Sequence, residues 1–276
     1  MEAWLAMPWV EAYQLKVSAA RAMLVGFAAV AGLAGCGNSS EPAELSDAAR
    51  AERGAAQAGY LTPPSPDAVR LSAAGVVLSG AAQAGGKVRL ATPAGAFQET
   101  VTGRDGRWTL ALAPMSQPAI YGLSVETKGQ RVQAEGYLLV TPGGQAAVLR
   151  SGAAALRIDA AGKPALRAID FDREGGAVIS AWAPAGAVVA LRVDGRPATQ
   201  GRADQQGRYE APLQGALQGS HRLEMSAEGY NDAVALQITR AQPLAPGPMR
   251  AQNTGAGLRV DWTTPGGGVQ STILVH

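Results

Sequence analysis

From Val69 onward, apolar and polar residues alternate with a period of two. Val88 and Leu90 alternate with Lys87 and Arg89, and Trp108, Leu110 and Leu112 with Thr109 and Ala111. Tyr121, Leu123 and Val125 alternate with Gly122, Ser124 and Glu126. In a strand, successive side chains point to opposite faces, so this pattern predicts sheets with one buried and one wet side. Turn residues divide the runs at Ala84-Gly85-Gly86, Asp105-Gly106 and Lys128-Gly129. Short strands at this spacing predict a sandwich or barrel. Further strands are expected over 131–140, 146–150 and 154–159.

The pattern occurs twice. Gly75–Leu90 matches Gly176–Leu191 without a gap, with eight of sixteen positions identical. The same offset of 101 pairs Gly106-Arg107-Trp108 with Gly207-Arg208-Tyr209. An internal repeat is read before other features because it sets the architecture. The second copy alternates at Leu191 and Val193, at His221, Leu223 and Met225, and at Val234, Leu236 and Ile238. Leu156-Arg157-Ile158-Asp159 matches Leu258-Arg259-Val260-Asp261 at an offset of 102, so the duplicated unit is about 100 residues long. Thr141-Pro142-Gly143-Gly144 also resembles Thr264-Pro265-Gly266-Gly267, but at an offset of 123, which is read as reuse of one turn chemistry. The segment Val269–Val275 is β-branched and apolar, and is expected to be a final edge strand open to a partner.

Each copy opens with G-x-V-x-S, turns at Ala-Gly, continues with x-x-V-x-L, and places an Asp before G-R-W/Y. This order resembles the bacterial Ig-like repeats and the carboxypeptidase-regulatory-like β-sandwiches, over 70–127 and 171–227. The resemblance implies an all-β chain of two tandem Ig-like Greek-key β-sandwiches. It also implies that each lacks the antibody-type disulfide, which a chain with one cysteine could not form.

The N-terminal region has a different character. Lys16 and Arg21 precede an apolar run over 22–35, followed by Cys36 and a polar stretch. This is the layout of a secretory signal, and the run is shorter than the ~20 residues a membrane-spanning helix needs. Leu33-Ala34-Gly35-Cys36 resembles a bacterial lipobox. The resemblance implies cleavage before Cys36, diacylglycerol on its thiol, and acylation of the new N-terminus. Gly37 rather than Asp follows Cys36, which by the same resemblance favours the outer over the inner membrane. Residues 38–67 contain few large apolar side chains and read as a flexible tether with a stiff proline segment at 63–66. The expected organisation is a signal peptide over 1–35, a lipidated tether over 36–67, and Ig-like sandwiches over 68–165 and 166–276.

Composition narrows the function. Net charge is +2, from 24 basic and 22 acidic residues in 276, without a Lys/Arg cluster, so a nucleic-acid partner is not expected. Two histidines and one cysteine without ligand spacing support neither a transition-metal site nor another cofactor. Asp170, Asp172 and Glu174 could offer oxygen ligands to calcium, but Arg173 lies among them and a solvated loop is the expectation. No nucleophile–base pair is evident, and a non-catalytic role follows. Trp108 and Tyr209 hold one repeat position and are assigned to cores. Trp182 and Trp262 have Ala81 and Ala160 as counterparts, and are the candidate glycan-stacking residues.

The leading expectation is therefore a lipid-anchored envelope protein acting as an interaction or scaffold module. Its membrane contact is the lipid, and its partner is an envelope protein or a glycan. Contact loops are expected at 94–102 or 199–206. Two alternatives stay open: a carbohydrate- or peptidoglycan-binding module using Trp182 and Trp262, and an accessory subunit of a secretion or surface-appendage assembly.

Overall fold

The computed structural model describes residues 61–73, 75–159, 162–244 and 247–276, and their regular structure is entirely antiparallel β. The lipobox with Cys36, and the tether up to residue 60, lie outside the described residues.

The first seven strands are β1 (Ser65–Ser72), β2 (Gly75–Ala81), β3 (Lys87–Ala91), β4 (Phe97–Val101), β5 (Arg107–Leu112), β6 (Ala119–Thr127) and β7 (Gln130–Val140). They form a sheet β1-β2-β5 facing a sheet β4-β3-β6-β7, the Greek-key arrangement of an Ig-like sandwich. The alternation seen in the sequence is the cause. In β5, Trp108, Leu110 and Leu112 are buried while Arg107, Thr109 and Ala111 are exposed. The buried set meets Val88, Leu90, Leu123 and Val125 from the facing sheet in the first core. Strand β1 starts at Ser65, within the expected tether, and Asp67 on it is bridged by Arg107 of β5. Two short strands, β8 (Ala146–Leu149) and β9 (Leu156–Arg157), extend the second sheet beyond β7.

The plan repeats with β10 (Ala165–Phe171), β11 (Ala177–Trp182), β12 (Val188–Val193), β13 (Arg196–Arg202), β14 (Arg208–Pro212), β15 (Gly219–Ala227) and β16 (Tyr230–Ile238). Strands β13-β12-β15-β16 form one sheet. The other, β14-β11-β10, is widened by β17 (Met249–Thr254), β18 (Gly257–Thr263) and β19 (Val269–Val275) into the order β14-β11-β10-β19-β18-β17. The hairpin turns match between the copies. Lys128-Gly129 and Glu228-Gly229 both have two consecutive positive φ angles, 51° and 73° against 47° and 82°. That is the type I′ geometry whose twist suits a two-residue hairpin.

The sheets do not form two separate sandwiches. The sheet carrying β6, β7 and β8 is buried on both faces: Leu138, Val140 and Val148 point into the first core, and Leu139, Ala147 and Leu149 point the other way. The widened sheet behaves likewise. Ile169, Phe171 and Ile273 face the second core, while Ala168, Leu258, Val260, Trp262 and Leu274 face away from it. The two outward-facing apolar sets meet and form a third core. The result is four stacked sheets with three apolar layers between them.

This stacking corrects several expectations. Val269–Val275 is not an edge strand: β19 is paired with β10 on one side and β18 on the other, and all but its first residue are buried. The segment 94–102 is largely the edge strand β4, and 199–206 lies half in β13, the rest being the turn that carries Asp204. The two Thr-Pro-Gly-Gly segments make the same turn. Gly144 N–H donates to Thr141 O at 3.0 Å, and Gly267 N–H to Thr264 O at 2.9 Å. They close the hairpins β7–β8 and β18–β19, which face each other across the third core.

Candidate functional site: the cleft at the junction of the sandwiches

The segment 150–159 of the first sandwich crosses the outer face of the β14-β11-β10-β19 sheet. Polar side chains on that face hold it at successive points. Ala155 N–H donates to Asp170 Oδ2 at 2.6 Å, and Ser180 Oγ–H donates to Ala155 O at 3.0 Å. Ala154 N–H and the Arg150 guanidinium donate to the two oxygens of Glu210, at 3.0 and 2.5 Å. Gln270 accepts from Gly152 N–H at 3.1 Å and donates to Arg150 O at 3.1 Å. Arg157 donates to Val275 O. An irregular segment crossing a buried face must find partners for its backbone groups, and here the other sandwich supplies them.

Asp170 is the centre of this seam. It is 2% exposed, which corrects its expected place in a solvated loop. Trp262 Nε1–H donates to Thr272 Oγ1 at 3.1 Å, and Thr272 Oγ–H donates to Asp170 Oδ1 at 2.5 Å. Burial pushes the Asp170 carboxyl up to about 7, against the hydrogen bonds from Thr272, Ala155 and Gln270 that favour its charged form. Asp172 caps its own turn by accepting from Glu174 and Gly176 N–H, at 2.9 and 2.8 Å. The three carboxylates of 170–174 therefore do not converge, and no metal-holding group of three or more His, Cys, Asp or Glu occurs among the described residues.

Beside the seam, a cleft of about 610 Å³ opens between the sandwiches. Its walls carry four guanidinium groups (Arg150, Arg157, Arg167, Arg208) and four carboxylates (Glu135, Asp159, Asp204, Glu210), for a net charge of zero. Most of these charges are paired. Arg157 Nε donates to Asp159 Oδ1 at 2.8 Å, and Arg208 Nε donates to Asp204 Oδ2 at 2.8 Å. Arg167 donates to Asp159 O at 2.8 Å. Burial first, and then the neighbouring Arg157, pull the Arg167 guanidinium below its ordinary value, with Asp159 opposing. Trp182 ends β11 in this cleft. It is half-buried.

The two tryptophans singled out in the sequence thus separate. Trp262 is 0% exposed and donates its N–H inside the third core, so it cannot stack on a ligand; its burial corrects that expectation. Trp182 lines the cleft. Trp108 and Tyr209 are both core residues, at 3% and 5% exposed. His221 lies elsewhere, on β15, with Nδ1 2.9 Å from Asp194 Oδ2 and Nε2 3.1 Å from Gln218 O. It borders a second hollow of about 590 Å³ made by the second sandwich alone. Sequence reasoning missed Arg157 and Asp159. Their trace was the match of Leu156–Asp159 to Leu258–Asp261, where Arg259 Nε likewise donates to Asp261 Oδ1 at 2.8 Å. Arg259 and Asp261, two apart on β18, share one face and can pair.

No protein-family model matches this chain, and no curated protein matches it. Among solved structures it is similar to the BSP domain of a biofilm associated protein, at 11% identity and a TM-score of 0.24, covering 66% of this chain and 30% of that one. It is similar to the central fibronectin-III array of RIM-binding protein at 12% identity and a TM-score of 0.27, covering 78% and 87% of the two chains. It is also similar to invasin, a bacterial integrin-binding protein, at 14% identity and a TM-score of 0.21, covering 78% and 54%. The chain thus spans 30% of the length of the first of these and about half of the last. Its own strand order and cores carry the description of its fold: all-β, built of Ig-like sandwiches.

Proposed function

We propose that this chain is a non-catalytic, lipid-anchored envelope protein that presents a binding cleft on a rigid body. Acylation at Cys36, after cleavage behind Leu33-Ala34-Gly35, holds it to the membrane. Two or three acyl chains anchor firmly, because each buried CH₂ contributes about 0.8 kcal/mol. Residues 36–64 act as the spacer, and Gly37 favours the outer membrane. The observation that supports a binding role is the junction cleft, where a half-buried tryptophan stands among side chains held in place by both sandwiches. Such concave sites at domain junctions are where ligands most often bind.

A second reading, a subunit of a larger assembly, is supported by β4. This strand ends its sheet, and Phe97 and Val101 are 52% and 63% exposed on it. An exposed edge of this kind can accept a strand from a partner.

The test is cross-linking of the acylated protein in cells, with mass spectrometry of what it captures and a Cys36→Ser control. The proposal expects captures that map to the cleft and depend on Cys36. Cross-links concentrated on β4 would favour the assembly reading. A Cys36→Ser protein that stays in the membrane fraction would overturn the anchor.

A further inference from the structure

The geometry points to the junction cleft as a saccharide site, taking a neutral, hydroxyl-rich sugar against Trp182; this rests on the reading of the cleft as the binding surface. The first support is that the fold does not need a tryptophan there. Trp182 pairs with Arg208 as Ala81 pairs with Arg107, at the same position of the repeat, and the first sandwich forms with alanine. The second is that the ring is seated. Its Nε1 edge lies against the turn at Gly207, where an added Cβ would come within 2.7 Å of it; Gly207 itself is set by a φ of 77° and by Ala183 O, as Gly106 is set in the first sandwich by a φ of 73° and Ala82 O. A large apolar ring beside polar side chains matches a sugar, which has apolar C–H faces and polar rims.

The third support is the charge pattern. Four cations and four anions cancel, so neither a phosphate-rich nor a strongly basic ligand is favoured. The least exposed of the charged groups, Arg157 and Asp159, are held as a pair, which keeps their remaining donor and acceptor positions at set spacings. Neighbouring sugar hydroxyls each donate and accept, and planar fixed groups satisfy them at little further entropic cost. The volume of about 610 Å³ falls in the ~300–1,000 Å³ range of small-ligand sites and has room for a short saccharide.

The experiment is calorimetric titration of the full chain in detergent micelles. The probes are N-acetylglucosamine, malto- and cello-oligosaccharides up to about 10 mM, beside short acidic and basic peptides. The expected result is saturable binding of at least one saccharide series, weakened at least about 10-fold in Trp182→Ala and largely kept in Trp182→Phe. The melting temperature of Trp182→Ala should stay close to that of the parent, since Ala81 holds the equivalent place. No saccharide binding, saccharide binding that survives Trp182→Ala, or Trp182-dependent binding of peptides alone would each overturn the inference. The membrane anchor and the captures on β4 are read in a separate experiment, so either proposal can fail without the other.

Discussion

Tyr137 of the first sandwich meets Trp262 of the second edge to face, with ring centroids 5.8 Å apart and planes at 86°. The contact lies in the third core, and through Thr272 the same indole is tied to the buried carboxylate of Asp170. Apolar packing and a polar seam therefore join at one residue, and together they make two sandwiches one body.

Trp262→Ala would empty the centre of that layer. Loss of a fully buried Trp typically costs about 3–5 kcal/mol, and here the cost falls on the join rather than on either sandwich core. Calorimetry of the variant should resolve two transitions where the parent unfolds in one. A single transition with an unchanged midpoint would show that the third core does not couple the sandwiches.

Stability should fall as pH rises from about 4 to about 7. The Asp170 carboxyl ionises at about 7 in the folded protein, against 3.8 for the ordinary group. In that window the folded state keeps a proton that the unfolded state releases, so stability is greatest below the ordinary value and declines until the folded group ionises. The whole loss is on the order of 4 kcal/mol, at about 1.4 kcal/mol per pH unit. Asp261 does not blur the window. Burial opposes its ionisation, but hydrogen bonds from Ser271, Arg250 and Arg259 hold it below the ordinary value. Denaturant titrations at several pH values should show this slope, and Asp170→Asn should flatten it.

Each sandwich clears room with a glycine for the aromatic at the position the two repeats share, but on different strands. A Cβ at Gly80 would lie 2.1 Å from Ser65 O and 2.5 Å from the Trp108 ring, and one at Gly201 would lie 2.8 Å from the Tyr209 ring. The counterparts Ala181 and Thr100 already carry a Cβ. Gly80→Ala and Gly201→Ala should each cost about 1–3 kcal/mol through overpacking, measured as a shift in denaturation midpoint with unchanged slope.

Truncation before Val269 should destroy the fold rather than a binding function. Strand β19 pairs on both sides, gives Ile273 and Val275 to the second core, and gives Leu274 to the third. The shortened protein should be degraded rapidly in limited proteolysis. A protease-resistant body that had lost only a partner would mean the tail is dispensable to packing.

The repeat was legible because a period-two strand writes its burial directly into sequence: Trp108, Leu110 and Leu112 could face only one way. The turns were legible because positive φ selects glycine, as at Gly129 and Gly229. The cleft was half-legible. Trp182 stood out against Ala81, but the Arg157–Asp159 pair and Arg208 become neighbours only when the sandwiches stack.

What the sequence by itself determined is local: the strands, their buried faces, the turns and the duplication, each set by contacts within one hairpin or one repeat. The tertiary structure decided which sheet acquires a second buried face. Leu139 and Leu149 on one hairpin, and Val260 and Trp262 on another, read as ordinary alternate-face residues. They are buried because two apolar faces, each too large to leave in water, cover one another. That same event moved Trp262 from candidate ligand platform to core, placed β19 inside a sheet, and opened the cleft at Trp182. Long-range burial of this kind depends on how the two sandwiches meet, and no window of the chain contains it.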